Sequence, residues 1–194
     1  FPLGSFSKDK VRKISEGFNL TVATKKESQD VCFIAKDYRK FVETNSNKNL
    51  KKYGVIKDLD GNKLGEHDGI QNFTIGQRRK LGISSDSPKY VVSINYNNSD
   101  VIVGEESDLY SDFLYASNLN WSVNKEEIPN LNISAKVRYR SPEAEVKINF
   151  IDSNNIFVKF KEPQRALTPG QAIVFYSGTQ VVGGGWISET REVS

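Results

Sequence analysis

The sequence predicts a mainly β protein with a few short helices, in which a small central β-rich module precedes a C-terminal six-stranded β-barrel. Two observations carry this. After residue 110 come six short segments of alternating or clustered apolar residues, separated by Pro, Gly, Asn and Asp. Before them stand two hairpin patterns, each folded about a short polar turn. A chain of 194 residues holds one full domain, or two small ones with separate cores. The boundary between the two β modules is expected at about residues 105 to 115.

The elements follow in order. Ser7 precedes "KDKVRKISEGF" as a helix N-cap, and Gly17 reads as the stop. Val11, Ile14 and Phe18 form the apolar stripe of that helix. "LTVA", residues 20 to 23, reads as a short extended piece, followed by an exposed polar loop to residue 30. "FIAKDYRKFV" suggests a second short helix, with Ile34, Tyr38, Phe41 and Val42 on one face. "YGVIKDLDGNKLGEH" is a hairpin turning at Asp60-Gly61, a pair that supplies positive φ at little cost. "DGIQNFTIGQRRKLGI" is punctuated by glycine and reads as irregular, with one helical turn near Ile75 to Arg79. "KYVVSINYNNSDVIVGEE" is a second hairpin turning at Asn97-Asn98-Ser99. The barrel strands are "FLYASNLNW", "NISAKVRYR", "AEVKINFI", "NIFVKFKE", "QAIVFYSG" and "QVVGGGWI". Val146, Ile148 and Phe150 alternate with Lys147 and Asn149, the pattern of a half-buried strand.

Composition excludes several classes. Hydrophobic residues make up 37% and charged residues 26%, the balance of ordinary globular material. No apolar run approaches the roughly 20 residues of a membrane span, and "FPLGSFSKDK" lacks the apolar core of a signal peptide. One cysteine makes no internal disulfide, which fits a reducing cytoplasmic or organellar setting. With one His and one Cys, no metal site is expected, because zinc takes three or four protein ligands. The chain has no methionine and begins with Phe, which implies that it is part of a longer protein. Net charge is +3, concentrated in patches such as "KDKVRK" and "QRRK". Each patch fits either a solvated face or a contact with a polyanion.

The motifs admit more than one reading on their own. Gly65, Gly69, Gly76 and Gly82 match neither a phosphate-binding P-loop nor a dinucleotide fingerprint, so they mark a tight loop. His67, between Glu66 and Asp68, reads as a turn-stabilising or surface residue rather than a catalytic one. "RYR" at 138 to 140 would put Arg138 and Arg140 on one strand face and Tyr139 on the other. That suits either a phosphate-facing pair with a stacking aromatic or a plain barrel surface. Gln171 follows a turn and is either exposed or a contact. Cys32 is flanked by Val31, Phe33 and Ile34, as a buried small hydrophobe would be. Lys25, Lys26 and a polar lead-in also give it the electropositive surroundings of a reactive thiolate.

A resemblance bears on these alternatives. "FPLGSFSKDKVRKI", "KKESQDVCFI", "GNKLGEHDGIQNFTIGQRRKLGI", "VRYRSPEAEV", "LTPGQAIVFY" and "VVGGGWI" occur in the order found in the tRNA-specific 2-thiouridylase family. The chain resembles the C-terminal portion of such enzymes. The family places sulfur on C2 of the wobble uridine of tRNA, using ATP and a cysteine persulfide. The resemblance implies that residues 1 to 32 are the tail of the catalytic ATP-pyrophosphatase domain. It implies a small central domain over 33 to 105. It implies, over 106 to 194, a barrel similar to one in translation elongation factors. Cys32 stands at the family's persulfide cysteine, and Arg138, Tyr139 and Gln171 stand at its tRNA contacts. ATP and Mg2+ are implied for an N-terminal domain outside these residues, so this chain alone is expected to bind no cofactor and to be inactive. The implied partners are tRNA and a sulfur-carrier relay protein, with no membrane and a monomeric state. Family members often carry Gly at the position of Lys80, which suggests a different local backbone there. The alternative reading is a non-catalytic RNA-binding or protein-interaction β-barrel.

Overall fold

The structure is a computed structural model that describes residues 2–24, 53–139 and 141–190. Cys32, Arg140 and the expected helix "FIAKDYRKFV" lie outside the described residues. The chain forms two compact units, residues 1–47 and 48–194.

In the first unit, α1 spans Lys8–Gly17. Ser7 is its N-cap: the side-chain oxygen accepts from the Lys10 amide at 3.4 Å, and Asp9 lies in the first turn. The helix ends at Gly17, the expected stop, with Phe18 as its C-cap. Phe18 donates to the Ile14 carbonyl, and Asn19 takes the left-handed conformation at φ 53°. Val11 and Ile14 are half-buried, whereas Phe18 is 74% exposed and falls off the stripe. The extended piece expected at 20 to 23 is instead a turn, closed by the Ala23 amide on the Leu20 carbonyl at 3.0 Å. The β-branched residues Thr21 and Val22 favour a strand, but no described neighbouring strand pairs with them.

The second unit opens with a four-stranded sheet: β1 (Gly54–Lys57), β2 (Lys63–His67), β3 (Tyr90–Asn95) and β4 (Asp100–Gly104), in the order β2-β1-β4-β3. Both expected hairpins are present, and β1 joins them by running parallel to β4. The first turn is closed by the Asp58 carboxylate, which accepts from the Asn62 amide at 2.8 Å while Gly61 supplies φ 87°. Ile56, Val91, Val101 and Val103 are fully buried, and Phe73 and Leu81 from the irregular segment cover them. No helical turn forms at Ile75 to Arg79. The chain makes a tight turn there instead, with the Gln77 amide on the Thr74 carbonyl at 2.9 Å and Gly76 at φ 86°. A helix would leave the Gly76 amide unable to reach the Val91 carbonyl on β3, which it does at 2.8 Å.

The barrel consists of β5 (Tyr110–Trp121), β6 (Ser134–Lys136), β7 (Ala144–Phe150), β8 (Asn155–Arg165), β9 (Ala172–Ser177) and β10 (Gln180–Glu189). It closes in the order β10-β5-β8-β7-β6-β9, with every neighbour antiparallel. Alternation decides its interior. Ile156, Val158 and Phe160 of β8 point inward with Leu114, Ile173, Phe175, Val182 and Ile187. Trp121 stacks on Phe175 with centroids 5.6 Å apart. β10 passes directly over this ring, and a Cβ on Gly183 would lie 2.4 Å from a Trp121 ring carbon.

The sheet and the barrel meet in a third apolar cluster of Tyr90, Val92, Leu109 and Ala166, with Ile75 packed against it. Lys80 takes φ 61°. This is the left-handed conformation that glycine favours, and lysine holds it against a Cβ clash of about 1–2 kcal/mol.

Candidate nucleic-acid interface

β6 ends at Lys136, two residues short of Arg138. The expected strand through residue 140, with Arg138 and Tyr139 on opposite faces, is replaced by a turn. Arg138 and Ser141 close it reciprocally. The Ser141 amide and hydroxyl donate to the Arg138 carbonyl at 3.2 and 2.9 Å, and the Arg138 amide donates to the Ser141 hydroxyl at 3.2 Å. Pro142 follows, with no N–H to offer a ladder, so the strand cannot continue through it.

A second turn faces this one. Thr168-Pro169-Gly170-Gln171 is closed by the Gln171 amide on the Thr168 carbonyl at 3.2 Å, with Gly170 at φ 85°. Proline followed by a positive-φ glycine is the signature of a type II turn. β10 pins it from both sides: the Gly170 amide donates to the Ile187 carbonyl and the Ile187 amide to the Gln171 carbonyl, each at 2.8 Å.

The two turns are joined by side chains. Arg138 Nε donates to Gln171 Oε1 at 3.3 Å, and Arg138 Nη2 donates to the Ala166 carbonyl. Thr168 Oγ1 donates to that same carbonyl at 2.9 Å. Ala166 is held at φ 53°, and its amide donates to the Leu109 carbonyl at 2.7 Å. Arg138 is thus fixed by two neutral acceptors and no described carboxylate. Two of the roughly five guanidinium donors are used, which leaves charge and donors for a phosphate. Tyr139 beside it is 97% exposed, with no contact that would explain an aromatic at that position.

Three of the four residues singled out in the sequence therefore converge: Arg138, Tyr139 and Gln171 lie on adjoining turns at one end of the barrel. Cys32 lies outside the described residues. Sequence reasoning missed Ala166 and Ser141, which hold Arg138. Ser141-Pro142 carried a signal for a turn, but nothing in "QRALTPG" marks Ala166 as left-handed.

His67 resolves to a turn-stabilising role. It is buried, Nδ1 accepts from the Gly69 amide at 3.1 Å, and Nε2 lies 2.8 Å from the Ser99 carbonyl. With Nδ1 occupied as an acceptor, the hydrogen sits on Nε2 and is donated to Ser99. The glycine-rich loop is equally committed. Its Gly69, Phe73, Thr74, Gly76 and Gln77 amides all donate within the protein. Among the described residues there is no group of three or more His, Cys, Asp or Glu placed to hold a metal ion, and no helix long and apolar enough to cross a membrane.

Three family models match consecutive stretches of the chain. They are a tRNA methyl transferase HUP domain over residues 1–36, a tRNA methyl transferase PRC-barrel domain over 39–105, and an aminomethyltransferase beta-barrel domain over 111–187. Among similar proteins, tRNA-specific 2-thiouridylase MnmA 1 of Caldanaerobacter subterraneus subsp. tengcongensis is 46% identical over 191 residues, 97% of this chain and 52% of that protein. The tRNA-specific 2-thiouridylases MnmA of Caldicellulosiruptor saccharolyticus and Halothermothrix orenii are 45% and 44% identical over 190 residues, again 97% of this chain and 52% of theirs. The chain belongs to the tRNA-specific 2-thiouridylase family. It spans about half the length of the curated relatives it matches.

Proposed function

We propose that this chain is part of a tRNA-uridine 2-sulfurtransferase and supplies its tRNA-binding barrel and its sulfur-carrying cysteine. The observation that carries the reading is the Arg138–Gln171 junction. It presents a cation held by neutral groups beside a fully exposed tyrosine, in a chain whose relatives are named for tRNA 2-thiolation. A guanidinium fixed in this way meets a phosphate with little loss of side-chain freedom, and an exposed aromatic offers a face to an unstacked base.

In this reading Cys32 carries sulfur as a persulfide delivered by a sulfur-carrier protein. The terminal sulfur bonds to C2 of a wobble uridine whose C2 oxygen has been activated, and that C–O bond breaks. A second thiol of the parent protein takes the S–S bond, leaving a disulfide with Cys32 that a reductant reopens. Lys25 and Lys26 favour the thiolate by their charge. The base leaves its stack to reach the sulfur. ATP and Mg2+, required for the activation, belong in this reading to another part of the parent protein. The isolated chain then binds tRNA and performs no thiolation.

The test is binding of a transcribed tRNA bearing an unmodified wobble uridine to the 194-residue chain, by fluorescence anisotropy across a salt series. Saturable binding that weakens with salt is expected. Absence of binding at low salt contradicts the reading.

A further inference from the structure

The segment "GQRRK", residues 76 to 80, remains without a role. Arg78, Arg79 and Lys80 are all exposed, and none is ion-paired with a described carboxylate. That sets them apart from most cations of the same unit. Lys57, Lys63, Lys89, Lys136, Lys159, Lys161 and Arg165 each face an acid. The described cations of that unit outside any ion pair with a described carboxylate are Arg78, Arg79, Lys80, Arg138, Lys125 and Lys147, and of these Lys125 still acts on Asp152 by its charge.

The loop that carries the first three is rigid. Gln77 braces it from inside, accepting from the Thr74 amide at 3.0 Å and donating to the Arg79 carbonyl at 2.9 Å. Its backbone is bonded both ways to Val91 on β3, at 2.8 and 2.9 Å. Lys80 sits in the left-handed region at φ 61°. Three cations without a described carboxylate partner, on a braced and locally strained turn, are an arrangement that stability alone does not favour.

The loop also lies against the barrel turns. A Cβ on Gly76 would be 3.3 Å from the Ala166 methyl and 3.7 Å from Arg165 Nη1. Ala166 is the residue whose carbonyl anchors Arg138. Arg78 is two residues from Gly76, so their Cα atoms are within about 8 Å. Arg138 and Arg78, on two modules that share a core there, therefore lie near one residue, and Arg79 and Lys80 follow Arg78 along the loop.

We propose that Arg78, Arg79 and Lys80 form a second phosphate-contacting site, continuous with Arg138, which grips the backbone of the bound tRNA. This rests on the reading of the chain as a tRNA-binding module. The site recognises phosphate charge and not base sequence, because its donors lie on exposed, flexible side chains and no described aromatic stands among them.

The test compares the whole chain with Arg78→Ala/Arg79→Ala/Lys80→Gly, using the same transcribed tRNA across a salt series. The triple variant should bind at least tenfold more weakly near 0.1 M salt. The slope of log K against log salt should become shallower by about two, at roughly 0.7–0.9 per lost contact. Lys80→Gly alone is expected to fold at least as well as the parent and to reduce the slope by one such step, so a folding defect in the triple variant does not blunt the test. Lys125→Ala is the control. Lys125 donates to the Ser153 carbonyl in the β7–β8 turn, at the far end of β7 from Ser141. Its slope should stay as in the parent. A triple variant with parental slope and affinity overturns the proposal while leaving the tRNA-binding reading intact. So does an equal loss in Lys125→Ala, which would reduce the effect to net charge. Failure of the parent chain to bind the tRNA overturns both.

Discussion

Arg138 Nε and Gln171 Oε1 lie 3.3 Å apart, linking the turn after β6 to the turn before β9 across 33 residues of sequence. Neither residue is in regular structure, yet each is held by its own backbone closure, so the pair is a fixed feature of the barrel end. The neutral partner orients the guanidinium without neutralising it, as a carboxylate would.

This relationship predicts unequal effects on tRNA binding. Arg138→Ala should weaken binding on all tRNAs alike and reduce the salt slope by about 0.7–0.9. Gln171→Ala should weaken binding with little change in slope, since it removes an orienting acceptor and no charge. The two losses should be sub-additive, with a coupling of about 0.5–1 kcal/mol. Tyr139→Ala should leave the melting temperature unchanged and cost about 1–3 kcal/mol of binding if a base stacks there. Strict additivity of Arg138→Ala and Gln171→Ala would show that the contact does not position the cation.

The barrel's closing strand is predicted to be intolerant at Gly183. An added methyl would sit 2.4 Å from the Trp121 ring and 2.7 Å from the Asn120 carbonyl, neither of which can withdraw without opening the β5–β10 pairing. Gly183→Ala should cost about 1–3 kcal/mol in denaturant unfolding. An unchanged midpoint would mean that the strand is free to shift.

Lys80→Gly should stabilise the protein. Relief of the left-handed strain, about 1–2 kcal/mol, outweighs the roughly 0.5–1 kcal/mol that glycine's greater unfolded-state freedom removes. A net gain of about 0.5–1 kcal/mol is expected, together with weaker tRNA binding if the loop grips phosphate. A loss of stability would contradict the strain argument.

His67→Leu keeps the apolar volume against Phe73, whose ring centroid lies 5.0 Å away, but strands the Gly69 amide and the Ser99 carbonyl. Burying those two groups unpaired should cost about 2–4 kcal/mol. Near-neutral stability would show that water reaches both.

Much of this architecture was legible in the sequence. The six barrel strands announce themselves by short alternating or clustered apolar runs bounded by turn residues, and both hairpins by polar turns, because local chemistry determines those features. What the sequence concealed depends on partners distant along the chain. β6 stops at Lys136 because Ser141 captures the Arg138 backbone, whereas "NISAKVRYR" reads as one continuous strand. Ile75 to Arg79 has helical spacing, but its amides are claimed by β3. The parallel β1–β4 pairing has no local signal at all. At the interface, residue types left Arg138, Tyr139 and Gln171 open between contact and plain surface, and the family resemblance singled them out. The anchorage of Arg138 on the Ala166 carbonyl depends on a left-handed alanine that no propensity favours.

The most direct test of the central claim is nucleoside mass spectrometry of tRNA from cells whose parent gene carries Cys32→Ser, with the melting temperature of the same variant protein measured alongside. The sulfur-carrier reading predicts loss of 2-thiouridine at the wobble position, with a melting temperature close to that of the parent. Full thiolation in a destabilised protein, the behaviour of a buried structural thiol that lost about 1–3 kcal/mol on gaining a hydroxyl, would contradict it.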